Sequence, residues 1–328
     1  MSVTRSTRRR TRNRDLRADH PQGVPQDECL SCTRNLTPGR GSPVDTPSRA
    51  SPDTKGTSET ASTAHRSHRL AMRRTAIAAT AALGLSIDMF TIGAAPAQAA
   101  SWPTPTGSQA VTKTIGVSGT EDYGMVRLYG SGDLGTGGQD EDQAPLLELA
   151  DGAVLKNVII GAPAADGIHC LGSCTLQNVW WEDVGEDAAT FKGPSSSAVY
   201  TVTGGGARKA SDKVFPFNGA GTLRVTQFQV EDFGKLVRSC GNCKTQYRRT
   251  IFVSDVDVAA PGKAIVGINQ NYGDTATLSR IRIHGDSSKK IKPCVRYEGN
   301  DDGDEPAEIG SGPDGTYCRY SSSDISYD

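Results

Sequence analysis

From residue 154 onward the chain is built of short apolar or alternating runs separated by Gly, Asn and Asp. The runs cover 154–160, 175–181, 198–202, 222–230, 251–258 and 277–283, and each reads as a strand. No helical periodicity of comparable length lies between them. The runs also recur. Leu155-Lys156-Asn157-Val158 returns as Leu176-Gln177-Asn178-Val179, 21 residues on. Glu182-Asp183-Val184-Gly185 returns as Glu231-Asp232-Phe233-Gly234, 49 residues on, near two periods. One coil of short strands every 20 to 25 residues or so predicts an all-β parallel β-helix, or solenoid. An antiparallel sandwich would instead show turn signals every 8 to 12 residues or so and no long-range copy.

The front of the chain lacks this pattern. Residues 1–71 are rich in Arg, Ser, Thr, Pro and Asp, too polar to offset their ordering entropy. They read as a disordered or over-extended N-terminal extension. A secretory signal peptide is predicted at 72–99: basic Arg73 and Arg74, an apolar stretch over 75–87, and a small-x-small site at Ala97-Gln98-Ala99. The working domain then spans 100–328, secreted and extracellular. Charge divides at the same place. Residues 1–99 hold 15 of the 36 basic and 8 of the 37 acidic groups, a net of +7, which leaves −8 for the remainder. An acidic folded part argues against a nucleic-acid partner. No apolar stretch reaches the roughly 20 residues of a membrane span.

Export favours disulfides. Cys29 and Cys32 fall in the extension. Spacing among the other six points to Cys170–Cys174, Cys240–Cys243 and Cys294–Cys318, although six cysteines allow some 15 connectivities. The segment after Asn300 reads as a loop or tail that the last pair would clip down.

A solenoid stacks residues one period apart, at about 4.8 Å. Asp166, Asp187, Asp212 and Lys235 are separated by 21, 25 and 23 residues and are predicted to form one column, with Glu186 beside Asp187 and Lys213 beside Asp212. Carboxylates stacked this closely repel unless a cation lies among them. Oxygen donors without His or Cys at matching positions point to calcium. His169 and His284 are the two histidines after residue 99, and His169, beside Cys170, is read as structural. No G-x-S-x-G occurs, no G-x-G-x-x-G is expected after a strand, and no G-x-x-x-x-G-K-[ST] occurs, so hydrolase and nucleotide signals are lacking. What remains is carboxylates with a basic set, Lys192, Lys213, Lys235 and Arg238. That set suits an acidic polysaccharide: a cation acidifies the proton beside a uronate carboxylate, a Lys removes it, and the glycosidic oxygen leaves by β-elimination. A lysine base predicts an alkaline optimum, its reference pKa being about 10.4.

Several stretches carry a family resemblance. They are Leu155–Gly161, Ala165–Cys170, Thr175–Lys192, Lys209–Phe215, Asn218–Thr222, Phe233–Arg238 and Asn271–Thr275. Together, across about residues 112–300, the chain resembles the secreted pectate lyases of polysaccharide lyase family 3. The resemblance implies a single-domain right-handed parallel β-helix and calcium-dependent cleavage of polygalacturonate, the pectin backbone, with unsaturated ends. It implies calcium ligands at Asp166, Glu186 and Asp187, with Asp183 as an acidic neighbour. It assigns the base to Lys213 and further catalytic or binding roles to Lys235 and Arg238. Glu141, Lys192 and Asp212 are expected to bind substrate. Pro216-Phe217 departs from the family, which usually has a polar residue after the Asp-Lys-Val-Phe stretch. Two rival readings stand beside the lyase. A β-helical hydrolase would place carboxylates around a water, and a non-catalytic solenoid would bind pectin uncut. A monomer is the default expectation.

Overall fold

In a computed structural model, residues 101–139 and 143–328 can be described; the predicted extension, the signal peptide, Cys29, Cys32 and Glu141 lie outside them. Three columns of strands run along the chain. The first stacks Thr120, Val154, Thr175 and Thr201, then Arg224, Phe252, Thr277 and Arg319. The second stacks Leu128, Ile160, Trp181, Ala207, Val230, Val258, Ile283 and Tyr327. The third stacks Val117, Leu149, Cys170, Phe191, Phe217 and Ser239. These ladders are parallel; Lys292–Glu298 and Ala307–Ser311 pair antiparallel. The fold is a right-handed parallel β-helix, the expected hand for parallel strands joined across a sheet. Among the described residues no helix is long and apolar enough to cross a membrane.

The repeat seen in the sequence has a backbone cause. Between the first and second faces each coil turns a corner on a residue of positive φ: Met125, Asn157, Asn178, Gly204, Gln227, Asp255 and Arg280. Asn tolerates this conformation better than most residues, so Leu-x-Asn-Val marks the corner in two successive coils. The Asn178 amide donates to Asn157 Oδ1 at 2.8 Å, and Asn157 donates to Asp122. The second copied motif is real as well. Glu182 and Glu231 lie two coils apart with Arg208 between them, 3.7 Å from Glu231 and bonded to the Glu182 carbonyl at 3.0 Å. The corners from Asn157 onward lie 21 to 28 residues apart, a wider spread than the predicted period.

Inward side chains fill the coil. Trp181, Phe191, Tyr200, Phe215, Phe217 and Phe228 stack along the interior with ring centroids 5.0–6.3 Å apart, mostly edge-on or tilted, as ring quadrupoles prefer. All three expected disulfides form. Two expectations need correction. The segment after Asn300 is no mere tail, since it contributes the strands Ala307–Ser311, Cys318–Arg319 and Ile325–Tyr327. A G-x-G-x-x-G does follow a strand, as Gly130-Ser131-Gly132-Asp133-Leu134-Gly135. It opens only a three-residue 3-10 turn, Gly132–Leu134, and so lacks the helix N-terminus that a dinucleotide pyrophosphate needs.

Candidate active site

The third face begins with a turn in each coil, and these turns carry the polar residues. Ile168 pairs with Ala189, so Asp166 and Asp187, two residues earlier in each coil, are stacked. Two glycines permit this. Gly167 has φ of +55°, and a Cβ on it would overlap the carbonyl oxygens of Asp187 and Ala188; a Cβ on Gly185 would overlap the Ala165 carbonyl oxygen. Asp166, Glu186 and Asp187 each offer a carboxylate oxygen, and these atoms lie within 4.8 Å of one another. The three residues are 4–6% exposed. Asp166 Oδ1 is buried with no hydrogen-bond partner among the described residues. An unsatisfied buried carboxylate oxygen is costly. A cluster of three such groups made only of oxygen donors fits a hard divalent cation.

The column then changes sign. Phe191 pairs with Phe217 and Lys213 with Lys235. The stack therefore runs Asp166, Asp187, Lys213, Lys235, and it corrects the sequence-based column, which had Asp212 in the third place. An insertion in that coil moves the register by one residue. Asp212 instead lies sideways between the two amines, 2.7 Å from Lys213 Nζ and 3.1 Å from Lys235 Nζ. Burial alone would push its carboxyl up, but the hydrogen bonds and charges of the two lysines outweigh this and hold it below the usual carboxylate range. Lys213 Nζ is also 3.5 Å from Asp187.

Arg238, 6% exposed, closes the basic end. Its guanidinium stacks on Tyr297 at 4.0 Å and donates to Asn269 Oδ1 at 2.8 Å and to the Ser239 carbonyl. Burial pulls its pKa down from the ordinary arginine value. Asn269 is held in turn by Asp274, which accepts from its backbone N–H at 3.1 Å. Asp187, Asp212, Lys213, Lys235 and Arg238 all line one open cleft of about 310 Å³.

Other expected residues fall elsewhere. Asp183 is not part of the carboxylate cluster; its side chain is 43% exposed and pairs with Lys209 at 3.1 Å, because the turn after Trp181 aims it outward. Lys192 is not among the residues lining the cleft, and its Nζ lies 3.2 Å from His169 Nδ1. His169, expected to be structural, touches Asp166 at 2.5 Å. The sequence reading missed the far wall: Asn218, the Cys240–Cys243 disulfide loop, Glu305 and Pro306. Only the Cys-x-x-Cys spacing signalled any part of it. Pro216, the departure noted above, lies within the cleft lining.

A buried carboxylate cluster stacked against amines, on the open side of a parallel β-helix, defines a site of the kind found in β-helical enzymes of acidic polysaccharides. The family model described as pectate lyase matches residues 99–304. Pectate lyase E of Emericella nidulans is 50% identical over 229 residues, covering 68% of this chain and 85% of its own. Probable pectate lyase D of Aspergillus fumigatus is 45% identical over 240 residues, covering 71% and 95%. Among solved structures, the catalytic domain of pectate lyase PelI from Erwinia chrysanthemi superposes with a TM-score of 0.57 at 34% identity, covering 68% of this chain and 98% of that one. The chain belongs to the pectate lyase family and is a pectate lyase, a carbon–oxygen lyase acting on polysaccharide. Membership decides against the hydrolase and the non-catalytic solenoid.

Proposed function

We propose that the enzyme cleaves polygalacturonate by calcium-dependent β-elimination, with calcium held by Asp166, Glu186 and Asp187 and Lys213 acting as base. The observation that carries this reading is the column that passes from buried carboxylates to amines within one cleft. PelI of Erwinia chrysanthemi, 34% identical, has been solved with tetragalacturonic acid, which supports the same substrate class here. A calcium ion, when bound, supplies positive charge that acidifies the proton on C5, next to a uronate carboxylate. Lys213 Nζ, as the neutral amine, accepts that proton. The C5–H electron pair becomes the C4–C5 double bond, the C4–O bond breaks, and the leaving glycosidic oxygen takes a proton from solvent. Lys235 and Arg238 hold the uronate carboxylates of the chain. Asp212 keeps the two lysines at a fixed separation. Export by a signal peptide at 72–99 is part of the proposal, and the three disulfides support an oxidising destination.

The test is absorbance of polygalacturonate digests in the ultraviolet, with calcium and with chelator. Absorbance should rise with calcium and stay flat in chelator; chain shortening without absorbance would refute elimination. Lys213→Ala should lower kcat by roughly 10²- to 10⁴-fold while calcium affinity, read by calorimetry, survives. The rate should climb toward alkaline pH, since the base works only as the free amine. A profile peaking below neutrality would remove Lys213 from that role.

A further inference from the structure

His169 has no part in the elimination just described, yet it is 6% exposed and lies against one of the three carboxylates. It sits on the strand Ile168–Cys170, paired with Glu148 in one neighbouring coil and Thr190 in the other. Across the Gly167 turn its Nε2 lies 2.5 Å from Asp166 Oδ2, while Asp166 Oδ1 has no partner among the described residues. The two oxygens of one carboxylate are thus divided, one engaged and one open. On the other side of the ring, Lys192 from the next coil brings Nζ to 3.2 Å from Nδ1 and 3.3 Å from Nε2. An ammonium only donates, and Nε2 already serves Asp166, so Nδ1 is the nitrogen that accepts from Lys192.

We propose that His169 is a positioning residue of the cation site: Lys192 donates to its Nδ1, its Nε2–H donates to Asp166 Oδ2, and Asp166 is thereby fixed with Oδ1 left for the metal. This inference rests on the calcium reading of that site. It also gives Lys192 a role toward His169 in place of the substrate contact expected from sequence. Partners of this kind, standing behind a metal ligand, set its rotamer and commonly govern affinity by 10- to 100-fold or so.

The experiment is calorimetric calcium titration of the whole protein. His169→Ala should weaken calcium at least about tenfold. His169→Gln, whose amide N–H can replace Nε2–H, should stay near wild type. Lys192→Met should weaken calcium by a smaller factor and add nothing on the His169→Ala background, the non-additivity expected of residues acting through one chain of contacts. At saturating calcium, KM for polygalacturonate should be unchanged in Lys192→Met. If His169→Ala does not fold, judged by near-ultraviolet dichroism, the Gln and Met variants carry the test alone. Calcium bound by wild type and lost in Asp166→Asn, but undiminished in His169→Ala and Lys192→Met, overturns this inference and leaves the calcium site standing. A raised KM in Lys192→Met with intact calcium affinity returns Lys192 to the substrate. Absence of calcium binding by wild type overturns both.

Discussion

Asp257 shows how single carboxylates tie this protein's stability to pH. It lies at the second face, where Arg282 grips it with two hydrogen bonds of 2.6 and 2.7 Å and His284 adds a contact at 3.1 Å. Burial alone would raise its pKa, but Arg282 and His284 outweigh that and hold it below the ordinary value of 3.8. A carboxyl depressed in the folded state contributes stability above its unfolded pKa, and the contribution is lost as pH falls through the folded one. Asp212 has the same sign. Thermal melts should therefore show stability falling below about pH 4. Asp257→Asn should cost about 1–3 kcal/mol at pH 7 and flatten the acid limb; an unchanged limb would mean that Asp257 is not responsible. The carboxylates of the site were legible in the sequence at this scale because Ala-Asp-Gly and Gly-Glu-Asp each couple an acid to a glycine that close coil stacking requires. The side-chain directions of Asp183 and Lys192 were not, since a one-residue change of turn geometry reverses them.

At the level of the element, the corner between the first and second faces sets the coil. Asn157 and Asn178 occupy it in successive coils, and Asn178 both donates to Asn157 and accepts from Trp180 Nε1 at 2.7 Å. Later coils place Gly204, Gln227, Asp255 and Arg280 at the same corner. The sequence copy fades there because the backbone demand is met by other residues. The third-face strands Leu147–Leu149, Ile168–Cys170 and Ala189–Phe191 are three residues each, too short for any periodicity to show, although the site turns lead into them. Asn178→Ala should cost about 1–2 kcal/mol for the left-handed backbone alone, with a further loss from the two side-chain bonds. Asn178→Gly keeps the backbone freedom and should cost less. Urea midpoints would rank the two; equal losses would show that the ladder bonds, not the corner, dominate.

For the molecule as a whole, a solenoid is a stack in which each coil leans on its neighbours, so damage at one end need not reach the other. The Cys294–Cys318 disulfide clips the terminal coils, and between its cysteines runs the segment that supplies Glu305 and Pro306 to the cleft. That segment is tied to the Cys240–Cys243 loop: Asn300 N–H donates to the Gly241 carbonyl at 2.7 Å and Asn242 to the Gly303 carbonyl at 3.2 Å. A loop made of Asp, Gly and Glu carries no hydrophobic signal, which is why this wall could not be read beforehand. The bond spans 24 residues, for which chain entropy gives about 3 kcal/mol. The Cys294→Ser/Cys318→Ser pair should therefore melt lower and bind polygalacturonate more weakly, seen as a raised KM, with calcium affinity unchanged because the carboxylate cluster lies several coils away. The Cys170→Ser/Cys174→Ser pair closes only four residues and should cost less stability, about 2 kcal/mol, but Cys170 adjoins His169, so calcium should weaken there while KM at saturating calcium holds. The two double variants thus separate the cation half of the cleft from its substrate wall, and equal effects of both on calcium affinity would show that the halves are not independent.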